Sequence, residues 1–141
     1  MKVKIKKLVE NAVIPSYAHD TDAGMDLTAT SKSYDDFGNV VYGTGLSFEI
    51  PEGYVGLLFP RSSNAKTNFY LTNSVGVLDS GYRGEVMFKY KSINAFRFNP
   101  YKVGERIGQL IIMPYPKIEF EEVEKLSETD RGIGSYGSSG R

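Results

Sequence analysis

Apolar residues in this chain recur at every second position, in short runs broken by turn residues, a period that a helix cannot satisfy. Val3 and Ile5 alternate with Lys2, Lys4 and Lys6, and Leu46, Phe48 and Ile50 alternate with Ser47 and Glu49. Val55, Leu57 and Phe59 make another such row, as do Val86, Phe88 and Tyr90, and Phe96 with Phe98. Such alternation turns one side of each strand to a core and the other to water or a second interface. Turn signals separate the runs: Asp36-Phe37-Gly38-Asn39, Tyr42-Gly43-Thr44-Gly45, Pro51-Glu52-Gly53, Asn99-Pro100 and Val103-Gly104-Glu105. Many short strands at this spacing predict an all-β antiparallel sandwich or barrel. Only Ser62 to Phe69 reads as a helix, of about two turns, with Ser62 or Ser63 as its N-cap.

A chain of 141 residues, 40% hydrophobic and 24% charged, has room for one domain that buries its own core. Seventeen basic side chains balance seventeen acidic ones, which argues against a duplex nucleic-acid partner. The absence of cysteine excludes disulfides, thiolate catalysis and cysteine metal clusters, and fits a reducing compartment. The basic N-terminus, MKVKIKKLVENAVIP, lacks the apolar stretch and cleavage pattern of a signal peptide, and no segment is apolar over a bilayer's width. The expectation is a soluble, cytoplasmic protein without a membrane partner.

Two regions depart from simple alternation. Glu119, Glu121, Glu122 and Glu124 decorate an expected last strand, Ile118 to Val123, as a solvated edge would be. After Asp130 comes RGIGSYGSSGR, whose composition is that of a flexible tail.

Several segments combine residue types that carry chemistry, each with a plainer alternative. In VGVLDSGYRGEV, residues 75–86, Asp79-Ser80-Gly81 forms a tight hairpin turn between apolar pieces. Asp79 there is either a turn residue bonding its own backbone or part of a tip that reads a planar base edge, with Tyr82 offering a flat ring. In PRSS, residues 60–63, Arg61 beside two hydroxyls is either a surface residue next to an N-cap or an anion site. In DAGMDLTA, residues 22–29, Asp26 faces away from Met25 and Leu27, and is either inert or able to order water around a hard cation. In GERIGQLII, residues 104–112, Gln109 is a lone amide among apolar residues, hydrogen-bonded internally or to a ligand. The tail sets Arg131, Tyr136, Ser138 and Ser139 among Gly132, Gly134, Gly137 and Gly140, where backbone can approach phosphate closely.

Taken together and in this order, AGMDL, PRSS, GVLDSGYRGEV, GERIGQLI and RGIGSYGSSG resemble the five motifs of the trimeric dUTP pyrophosphatase family, over nearly the whole chain. The resemblance implies a jelly-roll subunit, a distorted barrel of the β-clip type with one short helix. A β domain of residues 1–130 would carry a flexible C-terminal arm, 131–141, that closes over the nucleotide. It further implies a homotrimer with shared active sites. The reaction would be hydrolysis of dUTP to dUMP and pyrophosphate, which limits uracil in DNA and supplies dUMP for dTMP synthesis.

By matching position, Asp79 corresponds to the carboxylate that activates the attacking water. Asn73, Gly76, Val77, Leu78, Tyr82 and Met87 correspond to the uracil and deoxyribose pocket, with Tyr136 stacking on the base from the arm. Arg61, Ser62, Ser63, Gln109, Arg131, Ser138 and Ser139 would hold the phosphates. Mg²⁺ would be held mainly by the triphosphate, with Asp26 reaching it through water. Ser63 and Ser135 stand where Gly is usual in the family, and Tyr136 replaces the commoner Phe. His19, the only histidine, reads as a surface residue. The alternatives are a dCTP deaminase of the same superfamily and a nucleotide-binding regulatory β module.

Overall fold

The structure is a computed structural model that describes residues 1–94 and 100–136. Ten strands form in chain order: β1 Lys4–Lys7, β2 Met25–Thr28, β3 Ser31–Tyr34, β4 Val40–Gly43, β5 Leu46–Glu49, β6 Tyr54–Phe59, β7 Phe69–Leu71, β8 Gly76–Leu78, β9 Met87–Ser92 and β10 Arg106–Pro114. They pair antiparallel as a β1-β5 ribbon and two four-stranded sheets, β2-β10-β6-β8 and β3-β4-β9-β7. The sheets are open, and the architecture is all-β and jelly-roll-like, as expected. Three predicted turns close as backbone hydrogen bonds: Gly38 N–H to Asp35 O, Tyr54 N–H to Pro51 O and Glu105 N–H to Lys102 O.

Alternation produces a core because each sheet turns one face inward. Leu27, Leu58, Leu78, Ile107 and Leu110 from one sheet meet Val40, Tyr42, Phe69, Leu71, Phe88 and Tyr90 from the other in a single buried cluster. The aromatic centre is close-packed, with Phe88 and Tyr90 stacked 6.2 Å apart and Tyr42 edge-on to Tyr90 at the same distance. Buried phenols need acceptors. Tyr90 Oη donates to Ile107 O at 2.6 Å and Tyr42 Oη to Tyr101 O at 2.9 Å. Burial pushes both phenol pKa values up, so both stay neutral donors. On β10 the chain carries Gly108, whose missing side chain leaves room for the Phe88 ring.

Four expectations change. The row Val55, Leu57 and Phe59 lies on the outer face of β6, while Gly56 and Leu58 point into the core. Both faces of this strand are apolar, so alternation alone does not say which turns inward. The turn at Asp79 forms, with Tyr82 N–H donating to Asp79 O at 3.0 Å, but it closes no hairpin. β8 pairs with β6 whereas β9 pairs with β4 and β7, so the turn carries the chain between sheets.

The expected helix at Ser62–Phe69 is a five-residue 3₁₀ helix, Ser62–Lys66, with Arg61 rather than a serine at its N-cap and no side-chain cap. It buries no residue, and without an apolar face to dock there is nothing to offset the cost of propagating a longer helix. Finally, Ile118 to Val123 forms no strand: Phe120 is 93% exposed, and the segment finds no neighbouring edge within the described chain. The Phe96–Phe98 run and Asn99 lie outside the described residues. No helix among the described residues is long and apolar enough to cross a membrane.

Candidate active site

Two clefts gather the chemistry-bearing residues. The first, of about 330 Å³, opens beside β8 and is lined by Asn73, Gly76, Val77, Leu78, Asp79, Tyr82 and Met87, with Leu58, Thr72, Glu85 and Lys89. Period two explains the lining: Gly76 and Leu78 are buried, while Val77 between them is 60% exposed toward the cleft. Asp79 follows the strand end directly, and no described residue bonds or pairs with its carboxylate. Its oxygens are therefore available to water. The Tyr82 ring is fixed from its far end, where Oη donates to Glu85 O at 3.0 Å.

The second cleft, of about 570 Å³, brings together the polar side chains of Asp26, Arg61, Ser62, Arg106 and Gln109 with His19, Asp22 and Gly24. β10 lies between β2 and β6, so Gln109 faces Asp26 on one side and Phe59 on the other. Asp26 is the hub. One oxygen accepts from Arg61 Nε at 2.7 Å, the other from Arg106 Nη1 at 3.0 Å. Two guanidinium groups are thereby held side by side in a cleft of polyphosphate size, with further N–H donors free for an anion. Arg61 Nη1 also donates to Ser63 Oγ at 3.3 Å. Gln109 Nε2 donates to Pro60 O at 3.0 Å, which leaves its second N–H and its oxygen for other partners. Gly24 leaves room for that amide in its present position, since a Cβ there would stand 2.5 Å from Gln109 Oε1 and the flexible end of the side chain would have to shift.

The clefts are separate within one chain. β2 and β8 are the two outer strands of their sheet, three strand spacings apart, which is roughly 14 Å. Asp79 and the Asp26–Arg61 pair thus do not converge on one point.

Sequence comparison identifies the lineage of this arrangement. The dUTPase family model matches residues 10–140, across both clefts. The chain belongs to the dUTPase family. It is 41% identical over 141 residues to the deoxyuridine 5'-triphosphate nucleotidohydrolase of Clostridium tetani, covering 99% of this chain and 97% of the relative. It is 43% identical to that of Nautilia profundicola, covering the whole of both. Among solved structures it is similar to a mutant dUTPase of Staphylococcus bacteriophage 80alpha with dUpNHpp, at a TM-score of 0.85, 30% identity and 99% of both chains. A mutant dUTPase from phage phi11 of S. aureus, described with a structural Mg(II) ion, matches at a TM-score of 0.74 and 29% identity, over 89% of this chain and 98% of that one.

Within this dUTPase-family chain, the expected base and sugar residues of the β domain line the first cleft, and Asp26, Arg61, Ser62 and Gln109 line the second. Ser63 touches Arg61 but lines neither cleft. Arg131 Nε donates to Gly134 O at 3.0 Å inside the arm, and Tyr136 is fully exposed, so neither reaches a cleft. Ser138 and Ser139 lie outside the described residues. The five-residue 3₁₀ helix supplies little dipole, so the positive charge of the second cleft comes from Arg61 and Arg106.

Sequence reasoning missed Arg106, although its place beside Glu105 in the fourth motif offered a signal. It also placed His19 on the surface without noting its cleft. His19 Nδ1 lies 3.1 Å from Asp22 Oδ2, which orients the ring at the rim. Among the described residues no group of three or more His, Cys, Asp or Glu could hold a metal ion. Each Asp26 oxygen keeps one lone pair beyond its arginine contact.

Proposed function

We propose that this chain is a dUTP pyrophosphatase that hydrolyses dUTP to dUMP and pyrophosphate by attack of water on the α-phosphorus. Family membership over residues 10–140 supports the activity, and the Asp79 carboxylate, which lines the first cleft and has no partner among the described residues, is the observation that carries the mechanism. Asp79 accepts a proton from the attacking water as general base. Uracil and deoxyribose occupy the first cleft, where Tyr82 sits against the sugar and leaves no room for a 2′-hydroxyl. Asn73, Gly76, Val77, Leu78 and Met87 form the remaining wall.

Arg61, Ser62 and Gln109 hold the phosphates, with Ser63 acting through its contact with Arg61, and Arg106 joins them through Asp26. The chemistry asks little covalent work of the protein, so alignment and charge neutralisation dominate. Mg²⁺, bound chiefly by the triphosphate, would supply charge neutralisation, with Asp26 as the protein group that reaches it through water.

The separation of the two clefts supports a shared site, in which the first cleft of one subunit meets the second cleft of another in a homotrimer. The outer face of the β2-β10-β6-β8 sheet supports assembly as well. Leu57 aligns there with Ile111 and Val77, beside Phe59, Val55 and Met113, which makes an apolar surface that copies can bury against each other. Exposed Ile118, Phe120 and Val123 extend the same logic to the C-terminal segment. Residues 131–141 act as an arm that closes on the nucleotide, Tyr136 stacking on uracil while Arg131, Ser138 and Ser139 grip the γ end. The lack of cysteine supports a cytoplasmic setting.

Pyrophosphate release measured across dUTP, dTTP, dCTP and UTP with Mg²⁺ tests this reading. Strong preference for dUTP is expected. Ammonia released from dCTP would instead identify a deaminase, and nucleotide binding without pyrophosphate release would identify a regulatory module.

A further inference from the structure

Residues 79–86 carry Asp79 and Tyr82 from one sheet to the other, and they belong to no strand. Backbone without a ladder partner takes its geometry from whatever side chains bond it. The far end of this crossing is anchored to the connection between β4 and β5. Val86 N–H donates to Leu46 O at 2.8 Å, Thr44 Oγ1 donates to Val86 O at 2.7 Å, and Gly45 N–H donates to Glu85 Oε1 at 2.8 Å. The near end, which holds Asp79, has a different brace. Arg83 Nη1 donates to Ser80 O at 2.6 Å and to Tyr82 O at 3.0 Å, so one guanidinium nitrogen bridges the two carbonyls of the turn.

The Arg83 backbone is itself anchored. Its carbonyl accepts from Ser47 Oγ at 2.6 Å, and Ser47 is only 7% exposed on β5. Two residues along β5, Glu49 lines the same surface clefts as Arg83, and its carboxyl is held below its ordinary pKa chiefly by Lys4, with a smaller contribution from the Arg83 charge. Arg83 is thus a strut from the β1-β5 ribbon to the turn, and it lines neither the base cleft nor the phosphate cleft.

We propose that Arg83 is a positioning residue for hydrolysis, bracing the Ser80 and Tyr82 carbonyls so that the Asp79 carboxylate stays in line with the attacking water. The proposal rests on the reading of Asp79 as general base. Small misplacement of a reacting group is costly: an error on the order of 1 Å can cost roughly 100-fold. Most of the proposed base wall, Gly76, Val77, Leu78 and Met87, lies on β8 and β9 outside the braced turn, so the penalty falls mainly on the chemical step.

The test compares wild type, Arg83→Ala, Arg83→Lys, Lys4→Ala and Asp79→Asn in full-length protein, by kcat, KM for dUTP, pH profile and thermal midpoint. Arg83→Ala should lose roughly 10- to 100-fold in kcat with KM and the pH profile nearly unchanged. Millimolar guanidinium should restore part of that kcat, and should restore none in Asp79→Asn. Arg83→Lys keeps the charge but not the fork, so it should fold and still lose kcat. Lys4→Ala removes only the Glu49 pairing and should keep full kcat. A folded Arg83→Ala or Arg83→Lys with wild-type kcat, or one that only raises KM, overturns the proposal. Wild type that releases no pyrophosphate from dUTP would overturn the underlying reading instead.

Discussion

The Asp26 carboxylate lies 2.7 Å from Nε of Arg61, which joins the first motif to the second across 35 residues of sequence. Both side chains are about three-quarters buried, and the second oxygen of the same carboxylate takes up Arg106. Asp26 therefore shapes the second cleft by holding both guanidinium groups in place.

Replacing Asp26 with Ala should release both guanidinium groups. Loss of a charge-assisted, partly buried hydrogen bond costs about 1–2 kcal/mol, readable as a fall in the urea midpoint. kcat/KM for dUTP should drop at least tenfold. A variant of unchanged kcat/KM would show that the arginines do not depend on this anchor.

Replacing Asp79 with Asn preserves the shape of the turn and removes the base. Calorimetric binding of a non-hydrolysable dUTP analogue should stay near wild type, while turnover falls by about 10²–10⁴-fold. Substantial remaining hydrolysis would sink the general-base assignment.

Ending the chain at Asp130 removes no buried residue among those described, because positions 131–133, 135 and 136 are exposed and Gly134 is half-buried. The truncated protein should melt with full-length protein yet hydrolyse dUTP far more slowly. Equal rates would show the arm to be a plain tail.

Gly108 faces the Phe88 ring, which is 1% exposed and has nowhere to go. Gly108→Ala should therefore destabilise the sandwich by about 1–3 kcal/mol through overpacking, measured by chemical denaturation. A neutral result would mean that the sheets can spread apart at little cost.

Asp35 gives an acid-dependent term. Asn39 Nδ2 is the main cause that holds its carboxyl well below the usual carboxylate range, aided by Lys89 and by the backbone N–H groups of Asn39 and Phe37. With the folded pKa lowered, the stabilisation is complete above the ordinary carboxylate pKa near 4 and is lost as pH falls through the folded value. Thermal midpoints of wild type and Asp35→Ala should thus differ at neutral pH and converge in strong acid. A constant difference down to acid would refute the linkage.

Much of the site was legible because its residues cluster locally. Asn73 to Met87 form one continuous stretch, and strand alternation already separates Val77 from Gly76 and Leu78. Arg106 was missed because nothing in GERIGQLII says what its guanidinium meets. Its partner lies 80 residues earlier, brought close only by the β2–β10 pairing. The short helix was misjudged because local capping signals count residues that could start a helix, while docking of an apolar face decides whether it continues.

The sequence by itself determined that the chain makes short two-faced strands, where they turn, and which family's motifs it carries. Those properties depend on neighbouring residues and on matching patterns. Only the tertiary structure decided which face of β6 turns inward, that the Asp79 turn crosses between sheets, and that Arg83 braces it. Strand order sets these outcomes, and a period of two is the same for every order of strands. The division of the chemistry into two clefts likewise follows from placing β2 and β8 on opposite edges of one sheet.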